Sequence, residues 1–168
     1  MELRSSSFND GDYLAMDHVL SADFGFGCSG GNRSPQLSWS GAPEATRSFA
    51  VTCYDPDAPT GSGFWHWVVA NIPANVTELP LDAGGSAGAG AGARMPAGAL
   101  QVRNDVGTRG YVGPCPPQGD HPHRYIFTVF AVGLDQLPID EDTSAAVVGF
   151  QLHFNTLAKA TLMGLFKH

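Results

Sequence analysis

The chain lacks any run approaching the roughly 20 consecutive apolar residues that a membrane-spanning helix needs, so integral membrane association is not expected. Basic residues are scarce as well: nine Lys plus Arg stand against sixteen Asp plus Glu, giving a formal net charge of −7. The nine stand singly. With no basic stripe to neutralise a row of phosphates, a nucleic-acid partner is excluded, and the same scatter excludes electrostatic recruitment to an anionic membrane. There are three cysteines, Cys28, Cys53 and Cys115, without the spacing of a zinc site, so no structural zinc is expected and reduced thiols are the default. Sequence gives no distance between Cys28 and Cys115, and a disulfide there stays open. The amino terminus, Met1 to Ser7, has no apolar core of a secretory signal, which reads as a cytoplasmic location.

Phosphate-binding and nucleophile signatures are missing too. No GxxxxGK[ST] loop exists, and no GxSxG elbow surrounds Ser62. Gly25 to Gly30 spells GxGxxG, yet Asn32-Arg33-Ser34-Pro35 follows where a helix should open.

What is present is a succession of short alternating segments separated by Gly, Pro, Asn and Asp, the pattern of an antiparallel β fold. At 168 residues, with 43% hydrophobic residues, one domain over 1–168 is expected, with a full core. Three strands stand out: Ser48 to Tyr54, Phe64 to Asn71, and Arg124 to Val132. The last two are apolar at nearly every position, as strands covered on both faces are. Alternation places His66 with Phe64 and Val68 on one face, and His123 with Tyr125 and Phe127. Residues 81–93 are almost all Gly, Ala and Ser, and read as a flexible surface loop. Towards the end Thr143 caps a helix beginning at Ser144, with Phe150, Leu152, His153, Phe154, Leu157 and Ala158 at helical spacing. Thr161 to Phe166 reads either as a closing strand or as the end of that helix. The fold expected is a Greek-key β-sandwich, a large central sheet and a smaller one, with short C-terminal helices.

Two segments carry the chemistry. Asp55-Pro56-Asp57-Ala58-Pro59 leads to Trp65-His66-Trp67, and Gly113-Pro114-Cys115-Pro116-Pro117-Gln118-Gly119 runs into His123-Arg124-Tyr125. Taken singly, each has a plain reading: Asp beside Pro is turn chemistry, and one histidine in an apolar strand is a satisfied core residue. Together they could gather two imidazoles, a phenol and a carboxylate around one small cavity, whose N–H and O–H donors suit an anion. His121, one step outside, reads as solvated.

DPDAP with a following HW, together with GPCPPxGxxHRY, resembles the phosphatidylethanolamine-binding protein family, in its bacterial Raf kinase inhibitor protein-like branch. Ser34-Pro35-Gln36-Leu37-Ser38-Trp39, Pro96 to Ala99 and Arg103-Asn104-Asp105 are similar to that branch as well. The resemblance implies a pocket for phosphate, acetate or a phosphoethanolamine head group, with Asp55, Asp57, His66, Pro116, Pro117, His123 and Tyr125 as its residues. Trp65 and Cys115 join this set as departures that narrow the cavity and make it redox-sensitive. It also implies a cis peptide bond near Asp55-Pro56 or Ala58-Pro59, and a short helix pair before a final strand. The expected function is binding of a small anionic or phosphorylated ligand, with regulation of a protein partner such as a kinase or protease and no cofactor or metal. The alternative is an acid–base enzyme, an isomerase, cyclase or hydrolase, using Asp55, His66, His123 and Tyr125. A homodimer through the end bearing the C-terminal helix is expected.

Overall fold

The computed structural model describes residues 1–85 and 94–168. Eight strands and one α-helix follow in order: β1 (Glu2–Arg4), β2 (Leu37–Ser40), β3 (Ser48–Asp55), β4 (Phe64–Pro73), β5 (Glu78–Leu79), β6 (Leu100–Val102), β7 (His123–Val132), α1 (Ala145–Asn155) and β8 (Thr156–Phe166). Two antiparallel sheets result, a smaller one in the order β1-β2-β5 and a larger one in the order β6-β4-β3-β7-β8. The expected two-sheet β architecture is therefore the observed one.

The centre of the large sheet is apolar on both sides because both sides are covered. Towards the small sheet, Phe49, Val51, Cys53, Trp67, Val69, Tyr125, Phe127 and Val129 pack with Leu3, Leu37 and Trp39. On the opposite face Ala50, Val68, Ala70 and Val132 meet Ala145, Val148 and Leu152 of α1. A side chain buried this way contributes about 1.5–3 kcal/mol. Neither face of β3, β4 or β7 could carry an uncompensated charge cheaply, so the carboxylates and imidazoles of these strands stand at or near their ends, Asp55 closing β3, His66 near the start of β4 and His123 opening β7.

Among the described residues one α-helix forms, where the resemblance implied a pair. Its N-cap is Ser144, whose side chain accepts from the Val147 N–H, in place of Thr143. The buried stripe is Ala145, Val148 and Leu152, whereas Phe150 and Phe154 are exposed. Leu157 and Ala158 belong to β8, which settles the final segment as a closing strand paired with β7 from Thr156 to Phe166.

Of the expected flexible loop, residues 86–93 lie outside the described residues. The described part, 81–85, is a packed turn: the Asp82 N–H donates to the Ser34 carbonyl at 2.9 Å, the Gly84 N–H to Ser34 Oγ at 2.8 Å, and Ala83 is fully buried. A Cβ on Gly84 would sit 2.7 Å from the Trp67 ring, so the small residue there is a packing requirement.

Cys28 and Cys115 are joined by a disulfide, with Cα atoms 5.9 Å apart, and Cys53 is a buried free thiol. This corrects the default of three reduced thiols. The bond spans 87 residues of sequence, a long loop, for which chain entropy gives a stabilisation of about 4–5 kcal/mol at most. Burial raises the Cys53 thiol well above its ordinary range, so it takes no part in exchange. Two measurements check this. Denatured, unreduced protein is expected to show one thiol per chain with Ellman's reagent and three after reduction. Reduction is also expected to lower Tm, and three free thiols before reduction would contradict the pairing.

Candidate functional site

At one end of the large sheet the carboxyl end of β3 lies beside the amino ends of β4 and β7, and three loops close over that end. Asp55 is the last residue of β3 and is only 2% exposed. Its Oδ1 accepts from the N–H groups of Asp57 and Ala58 at 2.8 and 3.1 Å, an Asx turn, and its Oδ2 accepts from His123 Nδ1 at 2.8 Å. Both X–Pro bonds here are trans, since the described chain has no cis peptide. The expected cis bond is corrected, and the turn is held by the carboxylate instead.

His66 arrives by a different device. In the β3–β4 ladder Cys53 pairs with Trp67 and Tyr54 with Trp65, which leaves His66 as an extra residue, a β-bulge. The bulge breaks the alternation expected from the sequence: Val68 faces α1, while His66 lies against Tyr125 at 5.1 Å and Phe64 at 4.9 Å between ring centroids. Asp105 supports the irregular stretch, its Oδ2 accepting from the Trp65 N–H at 2.8 Å and its own N–H donating to the Trp65 carbonyl at 3.1 Å. His66 Nδ1 is 2.7 Å from the Val112 carbonyl, and the Val112 N–H donates to the His66 carbonyl at 3.0 Å. That bond fixes the tautomer: Nδ1 carries the proton and Nε2 is left bare.

The Gly113 to Gly119 loop is locked from behind. A Cβ on Gly113 would lie 2.4 Å from the His18 carbonyl, so only glycine fits. The Gly113 N–H donates to Asn32 Oδ1 at 2.8 Å, and the Leu20 N–H to the Pro114 carbonyl at 3.1 Å. Cys115, Pro116 and Pro117 are thereby presented as a wall.

The cavity enclosed has a volume of about 220 Å³. Of the residues expected there, Asp55, His66, Cys115, Pro116, Pro117, His123 and Tyr125 line it. Asp57 and Trp65 do not. Asp57 points outward into a bidentate pair with Arg124, Nε–Oδ2 2.8 Å and a terminal guanidinium nitrogen to Oδ1 2.7 Å. Trp65 is turned by the bulge to the other face, where it stacks on Tyr54 at 4.5 Å and borders a groove beside α1. Leu20, Phe26, Phe64, Val106 and Val112 were not expected there, nor were Ala58, Pro59, Thr60 and Gly113 of the two motif loops, and these complete the lining. Phe64 was within reach, because it alternates with His66; Leu20 and Phe26 come from a distant loop and carried no signal.

The charges are arranged unevenly. His123 is buried between two carboxylates, Asp55 on Nδ1 and Asp120 Oδ2 on Nε2 at 3.1 Å. Burial alone would lower its pKa, but the hydrogen bonds and charges of the two aspartates outweigh burial and raise it. His66 goes the other way: burial lowers its pKa, only partly offset by the Val112 bond and the charges of Asp55 and Asp105. Burial and the Asp55 charge also push the Tyr125 hydroxyl up, so it stays a phenol. With a carboxylate oxygen on each of its nitrogens His123 is arranged to favour the imidazolium, while burial favours the neutral His66 imidazole and the Tyr125 phenol. Asp120, His121 and His123 bring three donor atoms within 4.8 Å of one another, a grouping a metal ion could use.

Two polar groups in the cavity have no partner among the described residues: His66 Nε2 and the Tyr125 hydroxyl. Neither is sealed away from the cavity. No Ser, Thr or Cys side chain is hydrogen-bonded to either histidine among the described residues, so a paired nucleophile is not part of this arrangement.

Residues 4–167 match the family model for the phosphatidylethanolamine-binding protein. The UPF0098 proteins YbcL and YbhB of Escherichia coli are 51% and 49% identical over 166 residues; the alignments cover 99% of this chain in both cases, and 87% and 99% of those proteins. The crystal structure of E. coli YbcL, described as a new member of the mammalian PEBP family, superposes with a TM-score of 0.93 at 50% identity, covering 99% of this chain and 98% of that one. A putative phosphatidylethanolamine-binding protein homolog from Chlamydia trachomatis gives 0.79 at 27% identity, with 99% and 97% coverage.

Two substitutions test the geometry. Asp57→Asn is expected to cost about 1 kcal/mol at neutral pH, reduced from the full linkage value because Arg124 is half exposed. The Arg124 pair holds the Asp57 carboxyl at about 2; its stabilisation is present above the ordinary value near 3.8 and is lost as pH falls through about 2, so the variant and the parent should converge in acid unfolding curves. Asp55→Asn leaves His123 without its buried carboxylate and is expected to cost about 3 kcal/mol; a loss below about 1 kcal/mol in urea unfolding would contradict the role given to Asp55.

Proposed function

The chain belongs to the phosphatidylethanolamine-binding protein family, and from that premise we propose that its pocket binds a small ligand through an anionic, phosphate-like head group. The observation that carries this reading is the pair of unpartnered groups, His66 Nε2 and the Tyr125 hydroxyl, both facing the cavity. Both are open to the cavity and not sealed in the protein, so a ligand head that supplies both hydrogen bonds takes the place of cavity water there. The Tyr125 O–H donates to a phosphate oxygen. The bare His66 Nε2 accepts from a P–OH, or takes its proton and donates in turn; either way the complex holds one proton more than a dianion beside a neutral imidazole. His123 is already bonded at both nitrogens, and its role is to keep Asp55 and the β3 end in place.

Binding is favoured over nucleophilic catalysis because, among the described residues, the pocket histidines contact carboxylates and a carbonyl and no nucleophile. Regulation of a protein partner by occupancy is part of the proposal, and so is residence in an oxidising compartment. Disulfides persist in oxidising compartments, so Cys28–Cys115 weighs against the cytoplasm expected from the amino terminus.

Calorimetric titration with phosphate and phosphoethanolamine tests the head-group reading. Affinity is expected to rise as pH falls from 8 to 6, approaching about tenfold per unit at pH above the ligand's second ionisation, near 6 for a phosphate ester, and levelling off as that ionisation is crossed. Tyr125→Phe is expected to weaken binding about tenfold, the equivalent of one hydrogen bond. Unchanged affinity in Tyr125→Phe, or binding that strengthens above pH 7, would contradict the assignment.

A further inference from the structure

The polar floor uses only part of the cavity. Its wall is apolar, made by Leu20, Phe26, Pro59, Phe64, Val106 and Val112. Inorganic phosphate hydrogen-bonded to His66 and Tyr125 would leave that wall facing water, which is the less stable arrangement for apolar surface. Phe26 is the outlying member. Its side chain is 61% exposed although its neighbours on both sides are anchored. Phe24 and Cys28 pack with Val19, Leu20 and Val112, and Cys28 is bonded to Cys115, itself part of the cavity wall. The Phe26 carbonyl lies 3.4 Å from Cys115 Sγ. Gly25 and Gly27 flank the ring with φ of 73° and 96°, left-handed conformations that a residue with a Cβ adopts only under strain. Backbone turns on either side therefore present one aromatic ring at the mouth of the cavity, and the disulfide holds the loop against the wall.

From this arrangement we infer that Phe26 is a specificity-determining residue, and that the pocket takes an anionic head carrying a compact apolar substituent, of the aryl or short-alkyl phosphonate or phosphate-ester class, in preference to a free inorganic anion. Size sets the upper limit. At about 220 Å³ the cavity is smaller than the roughly 300–1,000 Å³ of pockets that enclose drug-sized ligands, so a substituent the size of a phenyl ring is covered, while a long acyl chain would lie mostly in solvent. The inference rests on the head-group reading above, and Phe26 adds to it the discrimination between substituents that share one head.

The test is calorimetric titration of the intact, oxidised protein with inorganic phosphate, methylphosphonate and phenylphosphonate, repeated with Phe26→Ala and Phe26→Leu. In the parent protein phenylphosphonate is expected to bind about 10–150-fold more tightly than methylphosphonate, the range for covering one apolar side chain's worth of surface. Phe26→Ala should remove most of that ratio, and Phe26→Leu should restore part of it. Phe26 is exposed on a loop, so neither change threatens folding. Equal affinities for the two phosphonates, or a ratio that Phe26→Ala leaves intact, would overturn the inference while leaving the head-group reading standing. Failure of all three anions to bind at millimolar concentration would overturn both.

Discussion

The carboxylate of Asp55 is buried at the end of the strand that lies in the middle of the large sheet, and a charge in that position is tolerated only with hydrogen bonds on both oxygens. One oxygen is occupied by two backbone N–H groups of the turn that follows, the other by His123. From this follow the shape of the Asp57 to Pro59 turn without a cis bond, the orientation of His123 on β7, and the raised basicity of His123 between Asp55 and Asp120. The remaining polar groups of the cavity are free for a ligand because the strongest charges beside them are already paired with each other.

His66 depends on a second constraint, the β-bulge opposite Cys53 and Tyr54. A regular strand would have sent the imidazole to the side of Val68, under α1. The extra residue re-aims it into the cavity, and the hydrogen bond to the Val112 carbonyl then selects which nitrogen the ligand meets. Strand geometry, tautomer and binding chemistry are one chain of cause here.

Much of this was legible in the sequence because its carriers are local. The apolar runs of β4 and β7 announced a sheet covered on both faces, and seven of the nine expected site residues line one cavity. What the sequence hid depends on position in space or on pairing register. The bulge at His66 leaves no mark in composition, so Trp65 was placed in the pocket when its ring lies on the opposite face. Asp57 matched a motif, yet Arg124 on the neighbouring strand β7 claims both its oxygens. The Cys28–Cys115 bond and the approach of Phe26 join segments some 87 residues apart, a distance at which sequence spacing has no information about contact.

The central claim is a division of labour between the two pocket histidines, and nitrogen NMR of the imidazole rings addresses it most directly. At neutral pH the account predicts a neutral His66 protonated on Nδ1, whose Nε2 resonance moves on addition of phosphate or a phosphonate, beside a doubly protonated His123 whose resonances stay nearly fixed. A His66 protonated on Nε2 in the free protein, or ligand-induced shifts confined to His123, would contradict it.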